Sequence, residues 1–256
     1  MLTKKQDFLL MIAWPVVAAL LCLYFKLNII YAITLFYVIP SIYLSCKIPG
    51  QVKKSLIVAF AGGTLWSTLD YIWELSKAWA TPTFFPFKFL GVASMENVLW
   101  SYLWVYFVVI FYEYFFERDR NTERTTSLGY KLLEISCFGF IGLVTAVFIL
   151  KIDLFLPYSY LLLGLLCTLP VVFLLTRYPR LRSKFFGVGV YFFYYSLVLE
   201  LLALDRGYWY FPKEGQFIGH VTLFGLTFPI EEFILFVSIG SIIVLSWYEL
   251  FDDDRK

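Results

Sequence analysis

Long apolar runs, broken by short polar turns, fill most of this chain. A helix that crosses a bilayer needs about 20 consecutive, mostly apolar residues. Eight stretches reach that length: 8–25, 28–46, 54–76, 89–116, 131–150, 155–176, 185–204 and 219–249. The fourth and eighth exceed it and are expected to tilt or to project beyond the bilayer. The pattern predicts an all-α polytopic membrane protein of about eight transmembrane helices. The first run follows Met-Leu-Thr-Lys-Lys and lacks a clear small-residue cleavage site, so it reads as a retained helix, not a signal peptide.

Composition agrees. Hydrophobic residues make up 61% and charged residues 16% of the chain; a soluble domain is about half apolar and about a quarter charged. Mean hydropathy is +0.76. No long basic run or recognition module is present, so nucleic acid is set aside as a partner, and the lipid bilayer is the expected surroundings. The four cysteines lie in or beside apolar segments without a Cys-x-x-Cys pair and read as small buried hydrophobes. All but six of the 21 Lys and Arg fall on one side of the predicted spans; Lys26, Lys77, Lys88, Lys151, Arg206 and Lys213 are the exceptions. The positive-inside rule then predicts an integral cell-membrane protein with both termini cytoplasmic.

The polar stretch from Arg118 to Lys131 divides the spans into two sets of four. The expected organisation is a first four-helix repeat over 1–120, a cytoplasmic linker over 121–130 and a second four-helix repeat over 131–256. Each half carries a proline in its second helix (Pro40, Pro170) and an aspartate near the outer end of its third (Asp70, Asp205). An aromatic, proline-bearing loop follows in each. Each fourth helix then opens with a glycine (Gly91, Gly225), continues to a carboxylate and ends in Tyr112-Glu113 or Tyr248-Glu249. The spacing from Asp70 to Glu96 equals that from Asp205 to Glu231, although the Tyr-Glu pairs would instead align Glu96 with Glu232. Four helices per repeat is an even number, so the repeats are expected to be parallel.

Glu231 and Glu232 stand side by side after Pro229, inside an apolar stretch. Ionisable side chains within a span are costly and mark functional sites by default. Glu96 is expected roughly 10 Å below the outer boundary, at 1.5 Å per residue. Burial disfavours the charged form of a carboxyl, and two neighbouring carboxylates do not both ionise cheaply. Such a site holds a neutral acid beside a carboxylate, as general acid–base chemistry requires. Adjacent residues point about 100° apart on a helix, so one glutamate of the pair is expected to face a substrate. The plainer alternative is that either one simply bonds a neighbouring helix. Trp66, Asp70 and Trp73 share one helical face, and Trp100 and Trp104 lie one and two turns past Glu96. Aromatic faces stabilise positive charge, and a pocket of acids walled by aromatics suits a carbocation. Glu200, also within a span, reads as a supporting partner or the lining of a wet crevice. Glu74 carries little weight. The lone His220 has no second histidine with which to build a metal site. No Gly-x-Gly-x-x-Gly follows a strand, so no cofactor is expected.

Pro229-Ile230-Glu231-Glu232 followed by Phe-Ile-Leu-Phe resembles the Pro-x-Glu-Glu motif of the membrane-integral lycopene cyclases, the heterodimeric or fused carotenoid cyclases. That family has two similar halves, each with an aspartate near a tryptophan, a Trp-containing loop and then the glutamate helix. Leu204-Asp205 with Trp209, and Trp66-Ser-Thr-Leu-Asp70 with Trp79, look like the first two elements, so the resemblance covers nearly the whole chain. The first half departs from it: Ser94-Met95-Glu96-Asn97 lacks the proline and one carboxylate. The resemblance implies a substrate, lycopene or a related linear carotenoid, and a redox-neutral reaction without cofactor. A carboxyl protonates the terminal double bond, the cation closes a ring, and a carboxylate removes a proton. It implies Glu231 and Glu232 as donor and acceptor, Glu96, Asp70 and Asp205 as further catalytic groups, and Trp66, Trp73, Trp100 and Trp209 around the substrate. It allows for association with other membrane enzymes of the carotenoid pathway. The competing expectations are a small proton-coupled transporter and a non-catalytic subunit of a larger membrane complex. Against the transporter stand the clustering of the acids toward one face and the lack of a pair of interrupted helices in the sequence.

Overall fold

The computed structural model describes residues 2–117, 127–212 and 215–252. The expected linker falls outside these residues as far as 126. Six helices are long and apolar enough to cross a membrane: α1 (Lys4–Tyr24), α2 (Ile29–Lys47), α4 (Met95–Glu117), α5 (Ser127–Ile149), α6 (Ser159–Arg177) and α7 (Leu181–Arg206). A seventh such unit is the bent pair α8 (Glu232–Ser238) and α9 (Gly240–Phe251), which meet at 50°. The helix α3 (Val52–Leu75) has the length, 24 residues, but carries too many polar positions to qualify alone. Its Thr64, Ser67, Thr68 and Asp70 are buried inside the bundle. The outward faces of α5 and α6 are bare hydrocarbon, with Ile135, Phe138, Leu166 and Leu169 all exposed. This chain is an all-α membrane protein, apart from two hairpins.

Those hairpins correct two of the expected spans. Residues expected to begin the fourth helix instead form β1 (Lys88–Phe89) and β2 (Ala93–Ser94), paired antiparallel. Residues expected to begin the last helix form β3 (His220–Leu223) and β4 (Leu226–Pro229). The two turns share a backbone geometry: Leu90-Gly91 and Phe224-Gly225 all have positive φ. A two-residue hairpin turn of that hand needs left-handed residues, which explains the glycines. Both glycines therefore belong to turns and do not start helices.

Helices α3 and α7 end alike. Lys77 and Gly207 adopt left-handed φ. Ala78 N–H donates to Trp73 O and Tyr208 N–H to Ala203 O, at 2.9 and 2.8 Å. Ala80 and Tyr210 then pair with each other as an antiparallel bridge. Helix α4 lies against α3 because Gly63 leaves room for it; a Cβ there would meet the Tyr102 ring at 2.6 Å.

Backbone groups freed by irregular turns find partners inside. Pro15 in α1 leaves Met11 O without its helical donor, and Tyr191 on α7 supplies one at 3.2 Å. Alpha-helical geometry in α2 is interrupted by a π-helical turn at Thr34–Val38. There Trp14 Nε1 donates to Leu35 O at 2.7 Å and Tyr195 Oη to Phe36 O.

Both chain ends lie at one end of the bundle, where Lys4 sits over the Tyr114 ring and Lys54 pairs with Asp252. Charged groups at this end bond one another. Asp7, fully buried, accepts from Tyr43, Tyr114 and Lys47. The two Tyr-Glu pairs are exchanged: Tyr112 Oη donates to Glu249 at 2.5 Å, and Tyr248 Oη donates to Glu113. Lys54 lies 2.8 Å from Glu113, and Lys184 2.5 Å from Glu117. This exchange ties α4 to α9 across the middle of the bundle. Tyr112 bonds Glu249 Oε1, and Glu249 Oε2 has no partner among the described residues, so Tyr112→Phe would strand a buried carboxyl. It should lower unfolding stability in detergent by about 1–3 kcal/mol. Tyr112→Phe combined with Glu249→Leu should recover much of that loss, as thermal unfolding of the single and double variants would reveal.

Candidate functional site

The opposite end of the bundle encloses a narrow hollow of about 50 Å3. Its walls come from α2, α3, α4, α6, α7 and α8 and from the loops that carry Trp79 and Trp209, so every helix but α1, α5 and α9 contributes. Three acids face it: Asp70 from α3, Glu200 from α7 and Glu232 from α8. All three are buried, with 0%, 3% and 9% of their surface exposed.

Rings close the rest. Trp66 packs on Trp104 at 5.2 Å and on Phe236 at 5.7 Å. Trp73 packs on Tyr160 at 5.0 Å. Trp100 stacks on Trp104 at 5.3 Å, and Trp79 meets Trp209 at 6.2 Å below the Ala80–Tyr210 bridge.

Each acid has a neutral donor, and the donors differ. Glu232 Oε2 accepts from Tyr160 Oη. Glu200 accepts from Trp209 Nε1 with both oxygens at 3.2 Å. Asp70 Oδ2 accepts from Ser101 Oγ at 3.1 Å, and Asp70 Oδ1 has no partner. No Lys or Arg forms an ion pair with any of the three among the described residues. Asn97, also on the wall, donates to Glu74 at 2.6 Å and accepts from Thr81 at 3.0 Å. Among the described residues no three His, Cys, Asp or Glu side chains converge in a metal-binding arrangement.

The residues singled out in the sequence divide. Asp70, Glu232, Trp66, Trp73, Trp100 and Trp209 all line the hollow. Glu231 and Glu96 are buried but do not line it. Glu231 Oε1 accepts the Ile218 amide at 2.7 Å, and Glu96 Oε1 accepts the Phe84 and Phe85 amides, the latter at 2.9 Å. Both carboxyls thus tie the covering loops to the helix starts. The reason is rotation: neighbours on a helix differ by about 100°, so Glu231 turns toward the loop while Glu232 turns inward.

Asp205 is the clearest correction. It is exposed and lies off the hollow, and Glu200 holds the place expected of it. Five residues on a helix amount to about 140° of net rotation, so the two acids cannot share a face. A signal for Glu200 was present in the sequence. It precedes Trp209 by nine residues, as Asp70 precedes Trp79. Tyr160 carried no such signal, because its partner Glu232 is 72 residues away. One span, the last, is broken at Ile239, between α8 and α9.

Comparison of the chain with protein-family models, curated proteins and solved structures finds no match to any of them. The separation of the two acids on α7 can be checked chemically. A water-soluble carbodiimide with a charged amine should modify Asp205 and spare Glu200, read by peptide mass; equal labelling would contradict this geometry.

Proposed function

We propose that this protein is a membrane-embedded cyclase that forms rings on the ends of a linear carotenoid, lycopene or a relative of it. The observation that carries the reading is the set Asp70, Glu200 and Glu232 in one aromatic-walled hollow, bonded only by neutral donors. A hydrocarbon substrate offers no hydrogen bonds, so acids facing it serve proton transfer better than recognition.

The roles follow from the hydrogen bonds. Asp70 Oδ1 has no partner and is the oxygen free to carry a transferable proton. Glu232 and Glu200 each accept a hydrogen bond from Tyr160 or Trp209, an arrangement that suits a proton-accepting carboxylate. In this reading Asp70 protonates the terminal double bond. The next double bond attacks the cation and closes a six-membered ring. Glu232, or Glu200, removes a proton, and the choice sets the position of the ring double bond. The acceptor then returns its proton to Asp70, and the product is an isomer of the substrate. The faces of Trp66, Trp73, Trp100 and Trp104 stabilise the passing cation.

Two four-helix repeats underlie this site in the same reading. The like ends of α3 and α7 match Asp70 with Glu200 and Trp79 with Trp209. The amide-bonded glutamates match Glu96 with Glu231, and so Asn97 with Glu232. Eight crossings, counting α3 and the bent pair, bring both termini to one end, which the positive-inside rule assigns to the cytoplasm.

Pigment extracted from a lycopene-accumulating host is the test. The full chain should yield cyclic product of unchanged mass. Asp70→Asn, Glu200→Gln and Glu232→Gln should each lower it by about 10²-fold or more, the scale of general acid–base groups. Asp205→Asn should leave it near normal. Normal product from all three hollow variants would reject the reading. The break at Ile239, at the far end of the helix that starts with Glu232, favours a second reading, a proton-coupled transporter, since broken helices border transport sites. Proton uptake by proteoliposomes, without ring formation in the host, would select it.

A further inference from the structure

A second hollow lies directly under the first. Trp66 forms a wall of both. The second runs between α3, α5, α6 and α9, past Ala61, Leu132, Cys167, Val244 and Phe251. No charged residue lines it. Its one hydroxyl, Ser136 Oγ, is already bonded to Leu132 O at 2.9 Å. A polar ligand would lose its hydration there and gain nothing in return. Along α3 the two hollows extend from Val58 to Asp70, about 18 Å at 1.5 Å per residue.

We propose that this lower hollow is the binding slot for the hydrocarbon body of the substrate, with the reacting end held among the acids above. This rests on the cyclase reading. It assigns one occupant, a long unsaturated hydrocarbon, on two grounds: the slot is lined almost wholly by apolar side chains, and the Trp66 indole is a wall both of it and of the acid-bearing hollow. Empty, the slot is tight, about 30 Å3, so a wall must yield. The wall free to do so is α5. Only 17% of its spanning stretch is buried, against 33% or more for the other five spans. Outward movement of α5 opens the slot to lipid, where such a substrate is dissolved. Trp66 then turns aside as the chain threads past, and its ring returns to the cation as the end group reacts.

Chain length separates this slot from a merely structural cavity. Cys167→Phe places a ring in the slot and leaves Asp70, Glu200 and Glu232 unaltered in sequence; Ser136→Leu is the milder substitute if the first variant aggregates. Wild type and variant are compared in detergent on lycopene and on a short acyclic isoprenoid with the same end group. The variant should raise the KM for lycopene by about tenfold and change the short substrate by less than about twofold. An unchanged lycopene KM, or equal loss on both substrates in a folded variant, would overturn the proposal. Should wild type close no ring on either substrate, the cyclase reading fails by itself. The absorption shift of lycopene on binding then decides the slot. It should persist in Glu232→Gln and vanish in Cys167→Phe; a shift equal in both would overturn it.

Discussion

A carboxyl group surrounded by hydrocarbon must find a partner inside the protein, because lipid offers none. Every irregular feature of this bundle bears on that constraint, and its two ends meet it differently. At the end holding the termini, acids meet cations and tyrosines: Lys54 with Glu113 and Asp252, Lys184 with Glu117, and Lys47 with Asp7. At the other end Asp70, Glu200 and Glu232 meet a serine, a tryptophan and a tyrosine. Paired charge stabilises, and removing one member leaves the other stranded. Neutral donors leave the acid its proton chemistry. The same residue type therefore locks helices together at one end and remains available for exchange at the other.

Aromatic residues join these two ends. Phe107, Phe111, Tyr191 and Tyr195 form the middle of the core, with Phe111 stacked on Tyr191 at 4.1 Å. Around the hollow the rings are tryptophans, which present a larger face. Trp79 and Trp209 also close the roof, since their loops are stitched by the Ala80–Tyr210 bridge and by the amides that Glu96 and Glu231 accept. Glu96 and Glu231 thus hold the cover in place over Asp70, Glu200 and Glu232.

The helical frame was legible in the sequence because apolar length is a local property. So was the inward face of α3, since Trp66, Asp70 and Trp73 follow helical spacing. What failed was local geometry that competes with helix. Leu90-Gly91 and Phe224-Gly225 look apolar enough to extend a span, yet the glycines permit left-handed turns that hairpins use. Asp205 failed for a different reason. Equal spacing along the chain, Asp70 to Glu96 and Asp205 to Glu231, suggests one alignment of the halves, and the Tyr-Glu pairs suggest another. The loop between them differs in length, so equal counts do not mean equal positions. Tryptophans gave the better register, since Trp79 and Trp209 pack on each other across the bridge. Tyr160 and its bond to Glu232 lay beyond reach, as no sequence spacing relates two residues that meet only through tertiary packing.

The site is not symmetrical, and the asymmetry has a chemical sense. On the repeat reading, one half supplies Asp70 and the amide Asn97, and the other supplies Glu200 and Glu232. Asn97 is held by Glu74 and Thr81 and brings no charge to the hollow. A carboxylate in its place would put a fourth acid in a hollow that already holds three, none of them ion-paired with a Lys or Arg among the described residues. One hollow shared by two unlike halves can hold a proton donor on one side and acceptors on the other. Two like halves would have no reason to keep those roles apart. If the hollow is the cyclase site proposed above, the single carboxylate of the first half gives proton transfer a direction across it, from Asp70 on one wall to Glu232 on the other.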